Sequence, residues 1–169
     1  MTRPFAVALL LAATLSTAGC GVRARRTDRI ATAVTVQVDA GDTAVYLTPF
    51  GAPTRPFSPA VRVGNLIFLS GQIGTDGASA SSNAPVPGGI EAETRQTLEN
   101  IKATLTAVGS SMDKVVKCTV MMADMKEWDR MNAVYRTYFK PGRLPARSAL
   151  GANGLALGAR VEIECIATA

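Results

Sequence analysis

Val61-Arg62-Val63-Gly64-Asn65-Leu66-Ile67-Phe68-Leu69 is the stretch that decides the fold. Its residues alternate around Gly64-Asn65, a dipeptide suited to a hairpin turn, and Leu66 to Leu69 is apolar enough for a strand buried in a sheet. The segment therefore reads as two antiparallel strands. It runs directly into Ser70-Gly71-Gln72-Ile73. A glycine there either lets the backbone approach a ligand or marks a bulge, and the residues alone leave both open.

Downstream, Thr75 to Gly89 is rich in Ala, Ser, Gly and Pro and reads as a surface loop. From about Ile90 to Val108 the pattern changes to three- and four-residue spacing, with Leu98, Ile101, Leu105 and Val108 on one face of a helix. Glu91 and Glu93 complement its N-terminal dipole and Gly109 stops it. Val115 to Met122 follows as a central strand. Cys118 lies inside it as a small buried hydrophobe. A second helix spans about Lys126 to Phe139, where Trp128, Met131, Val134, Tyr135 and Tyr138 give a sheet-packing face before Pro141-Gly142. The last strand, Ala159 to Thr168, carries Glu162 and Glu164 on one face, because strand side chains alternate with period two. Whether Cys165 in this strand pairs with Cys118 in an oxidising compartment is left open by the residues, with two separate buried thiols the default expectation.

Upstream, Val45-Tyr46-Leu47 is a short strand ended by Pro49 and the Gly51-Ala52-Pro53 turn, and three prolines between Pro53 and Pro59 make an ordered, non-helical loop. Val34 to Val38 alternates like a strand but stops at Ala40-Gly41-Asp42, so it is either an edge strand or merely extended. Strands interleaved with two helices give an α+β domain, a single mixed sheet with both helices on one side. The other side of that sheet still needs covering, and self-association is the economical answer.

Residues 1–20 combine Arg3, an apolar run from Phe5 to Leu15 that is too short for a bilayer span, and small residues before Cys20. Ala18-Gly19-Cys20 resembles the end of a bacterial lipobox, with Thr17 in place of the usual leucine. The expectation is a signal peptide ending at a lipidated Cys20, a flexible tether over 21–42, and a folded domain over 43–169. The chain is then exported and membrane-anchored, because several acyl chains on one residue anchor stably where one does not. An ordinary cleaved signal and an uncleaved segment are the alternatives.

The net charge of +5 is unevenly placed. From residue 31 onward there are 13 Lys and Arg against 12 Asp and Glu, so 13 − 12 leaves +1. No basic face remains for nucleic acid once the N-terminal arm is set aside. An apolar content of 47% with 18% charged residues argues against disorder. Histidine is absent, which removes Ser-His-Asp and Cys-His machinery and the commonest zinc ligand. The three cysteines are too far apart for a CxxC motif. Neither a metal nor a cofactor is expected. Chemistry is left to Arg, Glu, Ser, Tyr, backbone groups and water.

Among these, Arg147 in Pro145-Ala146-Arg147-Ser148 sits between a proline-limited turn and the small-residue segment Ser148 to Gly151, so a stiff backbone rather than a helix places its fork. A guanidinium binds a carboxylate through two parallel hydrogen bonds that lysine cannot reproduce. A lone loop arginine is more often simply solvated, and so is a helical amide such as Asn132.

Four segments, Arg62 to Ile73, Thr94-Arg95-Gln96-Thr97-Leu98-Glu99-Asn100-Ile101, Pro145 to Ser148 and Val161-Glu162-Ile163-Glu164, resemble the RidA/YjgF family of reactive intermediate deaminases, in family order and spacing. The resemblance implies a chorismate-mutase-like α+β fold and a homotrimer with its sheets facing inward and ligand clefts between subunits. It also implies hydrolysis of small 2-imino acids, made by pyridoxal-phosphate enzymes, to 2-keto acids and ammonia without a cofactor. Carried across, Arg147 clamps the substrate carboxylate and Glu162 positions or activates water. Asn132 lines the cleft, and Gly71, with Ser70 beside it, gives a backbone contact near the imine. Phe57 stands where the deaminase branch has tyrosine, and Ala149 where it often has cysteine. A nearby Arg147 is expected to lower the Glu162 pKa while burial raises it. A lipid-anchored binding protein that keeps the cleft without the activity is the alternative.

Overall fold

The computed structural model describes residues 35–37, 44–51, 55–76 and 84–169. The hairpin read from the sequence is present: β3 (Ala60–Val63) and β4 (Leu66–Leu69) pair antiparallel, with Val63 opposite Leu66 and Gly64 at a φ of 58°. That left-handed backbone suits glycine because it lacks a Cβ. Upstream, β1 (Thr35–Gln37) and β2 (Ala44–Thr48) extend the sheet antiparallel. Within the alternating 34–38 segment, residues 35–37 therefore form an edge strand, which lies within the stretch expected to be a tether. The remainder of that stretch, the signal-like segment and Cys20 lie outside the described residues.

After β4, the short β5 (Gln72–Ile73) runs beside β8 (Val161–Thr168). β4 pairs Leu66 with Thr168 and Phe68 with Ile166. In that register Gln72 would face Glu162, yet it faces Ile163. One extra residue has been taken up at Ser70-Gly71, so the glycine does mark a bulge. Helix α1 (Gly89–Ala107) follows and ends in a Schellman arrangement. Gly109, at a φ of 82°, donates to the Thr106 carbonyl at 3.1 Å, and Ser110 donates to Leu105 at 2.8 Å. Then come β6 (Val115–Met122), helix α2 (Trp128–Tyr135) with a 3-10 turn at each end, and β7 (Ala146–Gly151).

The strand order is β1-β2-β3-β4-β8-β6-β7, with β5 beside β8. All pairings are antiparallel except β6 with β7, which α2 connects. Among the described residues the sheet is thus single, mixed and served by two helices, as expected. The small-residue segment after Pro145, to which the sequence pattern assigns no element, belongs to the edge strand β7.

One core lies between the sheet and the helices. Leu98, Ile101 and Leu105 of α1, Met131 of α2, Val120 and Met122 of β6, Ile163 of β8 and Ile67 of β4 are fully buried in it. On the strands these residues alternate with exposed or half-buried ones, so the helices occupy one face. The opposite face carries Tyr46, Val61, Phe68 and Ile166 in one cross-strand row, with Val63 and Leu66 beside it. Tyr46, Val63, Leu66 and Phe68 are exposed there.

Candidate active site

β7 borrows its straightness from β6. Arg147 is the Cα partner of Cys118, which pairs in turn with Cys165 on β8, so these three residues share the helix-side face. From the sheet edge the Arg147 side chain reaches α2. Its Nη1 donates to Asn132 Oδ1 at 2.8 Å, and its Cζ lies 4.8 Å from the Trp128 ring centre and 4.7 Å from that of Tyr135. Positions 128, 132 and 135 recur at helical spacing, so α2 offers an aromatic, an amide and a second aromatic along one stripe. Cation–π attraction and one hydrogen bond hold the guanidinium in place. Among the described residues it has no ion pair, so its charge is uncompensated by any carboxylate.

Asn132 is consequently not a solvated amide. Its oxygen is committed to Arg147. Tyr135 is buried beside the guanidinium, and its Oη has no hydrogen-bond partner among the described residues. Burial pushes its pKa up to about 12, with the Arg147 charge pulling the other way, so it stays a neutral phenol at physiological pH.

Glu162 belongs to a different neighbourhood. It faces away from the helices, in a row with Ile73 on β5 and Met121 on β6. Its carboxyl folds over Gly71: a Cβ built at that glycine would lie 2.0 Å from Oε1 and 2.9 Å from Cδ. Only a residue without a side chain leaves that room. Desolvation by this packing raises the Glu162 pKa, and repulsion from Glu164 on the same face raises it further.

Gly71 and Glu162 therefore meet within one protomer. Ser70 stands beside them, but its hydroxyl donates to the Ser58 carbonyl at 2.7 Å and its N–H to Pro59 at 3.1 Å. These bonds tie the preceding loop to the bulge. Phe57 lies on that loop, 45% exposed, so nearly half of its surface is open to solvent in one protomer.

Arg147 and Glu162 do not meet. They project from opposite faces of the sheet, on strands with β6 between them and three residues apart along the strand direction, roughly 14 Å apart at the backbone. Within one protomer, therefore, Arg147 has no part in the shift of the Glu162 pKa. Phe57, leading into β3, lies further still, because β4, β8 and β6 all separate β3 from β7.

The cysteines require a second correction. Cys118 and Cys165 are bonded to each other across β6 and β8 as direct antiparallel partners, with Cα atoms 4.1 Å apart. Such closeness belongs to the narrow, non-hydrogen-bonded type of strand pair. Forty-seven residues separate the two cysteines in sequence, and only the strand register brings them together. Trp128 and Tyr135 were legible as packing residues, but nothing in their spacing tells that they pack on an arginine.

A family model described as endoribonuclease L-PSP matches residues 49–169. A mouse protein named 2-iminobutanoate/2-iminopropanoate deaminase is 46% identical over 73% of this chain and 88% of its own length. The crystal structure of RidA from an Antarctic Psychrobacter species superposes with a TM-score of 0.63 at 35% identity, covering 70% of this chain and 92% of that one. Escherichia coli TdcF with bound serine gives 0.62 at 28% identity, over 69% and 91%. With its sheet order, its bulge beneath Glu162 and its edge-strand arginine in hand, the chain belongs to the RidA/YjgF family.

Proposed function

We propose that this chain hydrolyses small 2-imino acids to 2-keto acids and ammonia. The single observation that carries the reading is an arginine held by two rings and an amide yet paired with no carboxylate, which is what a receptor for a substrate carboxylate requires. The naming of relatives at 46% and 42% identity, from mouse and human, as 2-iminobutanoate/2-iminopropanoate deaminases supports it and disfavours an inactive binding protein. An RNA substrate has little support despite the family description, given the near-neutral charge beyond the N-terminal arm.

In this mechanism Arg147 fixes the carboxylate, which orients an already electrophilic iminium carbon. Glu162 takes a proton from water as its oxygen attacks that carbon. The carbinolamine so formed passes a proton to nitrogen, the C–N bond breaks, ammonia leaves and the carbonyl remains. General-base assistance of this kind supplies about 10²- to 10⁴-fold.

One protomer offers the two groups to opposite sides of its sheet. A shared ligand therefore calls for Arg147 from one copy and Glu162 from another. The exposed apolar face supports the same assembly, read as a homotrimer with clefts between subunits. Export and anchoring through Cys20 are part of the proposal. The lipobox-like sequence supports both, and the disulfide supports export alone, since such bonds persist in oxidising compartments.

The test generates 2-iminopropanoate from alanine with an amino-acid oxidase, in the presence of a trapping amine. Purified protein is expected to divert the imine to pyruvate and suppress the trapped adduct. Equal trapping with and without the protein would sink the deaminase reading. Lipid labelling of the parent, lost in Cys20→Ala, checks the anchor.

A further inference from the structure

We propose that Asn132 is a positioning residue for Arg147 whose neutrality reserves the guanidinium charge for the substrate. The inference rests on the deaminase reading and adds how the clamp is kept available.

Asn132 Oδ1 accepts from Nη1 alone, and the two aromatic rings occupy the space around Cζ. The Nε and Nη2 edge of the fork has no partner among the described residues. A guanidinium left free would sample many rotamers and lose that freedom on binding. Here α2 restrains it before any ligand arrives. The acceptor must be strong enough to orient the fork yet carry no charge. An amide meets both conditions. A carboxylate at the same place would sit at hydrogen-bond distance from Nη1, form an internal ion pair and neutralise the charge that attracts the substrate carboxylate to the other edge. The stripe also fixes the direction of approach. A ligand carboxylate meets the Nε and Nη2 edge, because Nη1 already faces the helix. The ligand class is thus a small monocarboxylate bound side-on.

The experiment compares the full-length wild type with Asn132→Asp and Asn132→Leu. It measures pyruvate binding by calorimetry, imine turnover, and the thermal midpoint. Asn132→Asp is expected to weaken pyruvate binding and raise KM by about tenfold or more while kcat changes little. Its thermal midpoint should hold or rise, because the new charge is paired. Asn132→Leu should weaken binding by a smaller factor, since the fork loses its guide but keeps its charge. A merely structural asparagine would lower the midpoint in both variants and leave pyruvate affinity unmoved. Wild-type pyruvate affinity in Asn132→Asp, or a wild type that binds no pyruvate, overturns the inference. Pyruvate binding that Asn132→Asp weakens supports it even where imine turnover is absent, an outcome that would overturn the deaminase reading alone.

Discussion

The two faces of the sheet are finished to different degrees. On the helix side, Arg147 has two aromatic neighbours, an amide partner and a covalent pair of cysteines beside it in the same row, all within one protomer. On the other side Glu162 has been desolvated and given room by Gly71, yet it shares its face with exposed Phe68, Leu66 and Tyr46. One half of the site is built by folding alone. The other half is built to be completed. A rigid clamp can be formed by packing within a domain, whereas a raised-pKa carboxyl becomes useful only once a substrate is delivered to it.

The sharpest way to break this comparison is at the clamp. Arg147→Ala and Arg147→Lys should both reduce imine turnover to background in the oxidase-coupled assay, because lysine restores charge but not the planar fork. Full activity in either would mean that the helix-side face is not part of the site. Glu162→Gln should lower kcat by about 10²-fold or more while pyruvate binding survives.

The same carboxyl predicts a pH signature. Burial and Glu164 hold the folded-state pKa above its unfolded value, so the folded state favours the protonated form. The resulting stabilisation is complete below the unfolded pKa and lost as pH rises through the folded one. Turnover should therefore climb with pH through the raised value, on the same rise over which stability declines. Urea titrations at neutral pH should find Glu162→Gln more stable than wild type; a less stable variant would contradict the assigned strain.

Gly71→Ala sharpens the contrast without touching either charge. A Cβ there would displace the Glu162 carboxyl, and a misplaced base should cost roughly 10- to 100-fold in kcat. Unchanged kcat would show that the carboxyl position is not critical. Replacing Cys118 and Cys165 together by alanine should lower unfolding stability by roughly 2–4 kcal/mol, measured by denaturant titration, with a smaller effect on turnover.

Much of this architecture was legible in local pattern. The hairpin at Gly64-Asn65, both helices and the strands bearing Cys118 and Glu162 follow from apolar periodicity, and Gly109 announced the end of α1. β7 was not legible, because Ala146-Arg147-Ser148-Ala149-Leu150-Gly151 has little apolar alternation of its own and is straight through pairing with β6. The disulfide and the separation of Arg147 from Glu162 share one cause. Both depend on which strands end up adjacent and on which face each residue points. That is fixed by long-range register, which no window of sequence reports. The identity of Asn132 as a partner of Arg147 was hidden in the same way, since α2 and β7 meet only after the crossover.

The covalent seam between β6 and β8 also bears on how the protein must be made. Chain produced in a reducing cytosol would present the same surface and the same side chains, with a thiol pair in place of the crosslink behind the clamp. Material from an oxidising host is then the proper reference for every comparison of rate or melting, and a batch of mixed redox state would report two populations under one name.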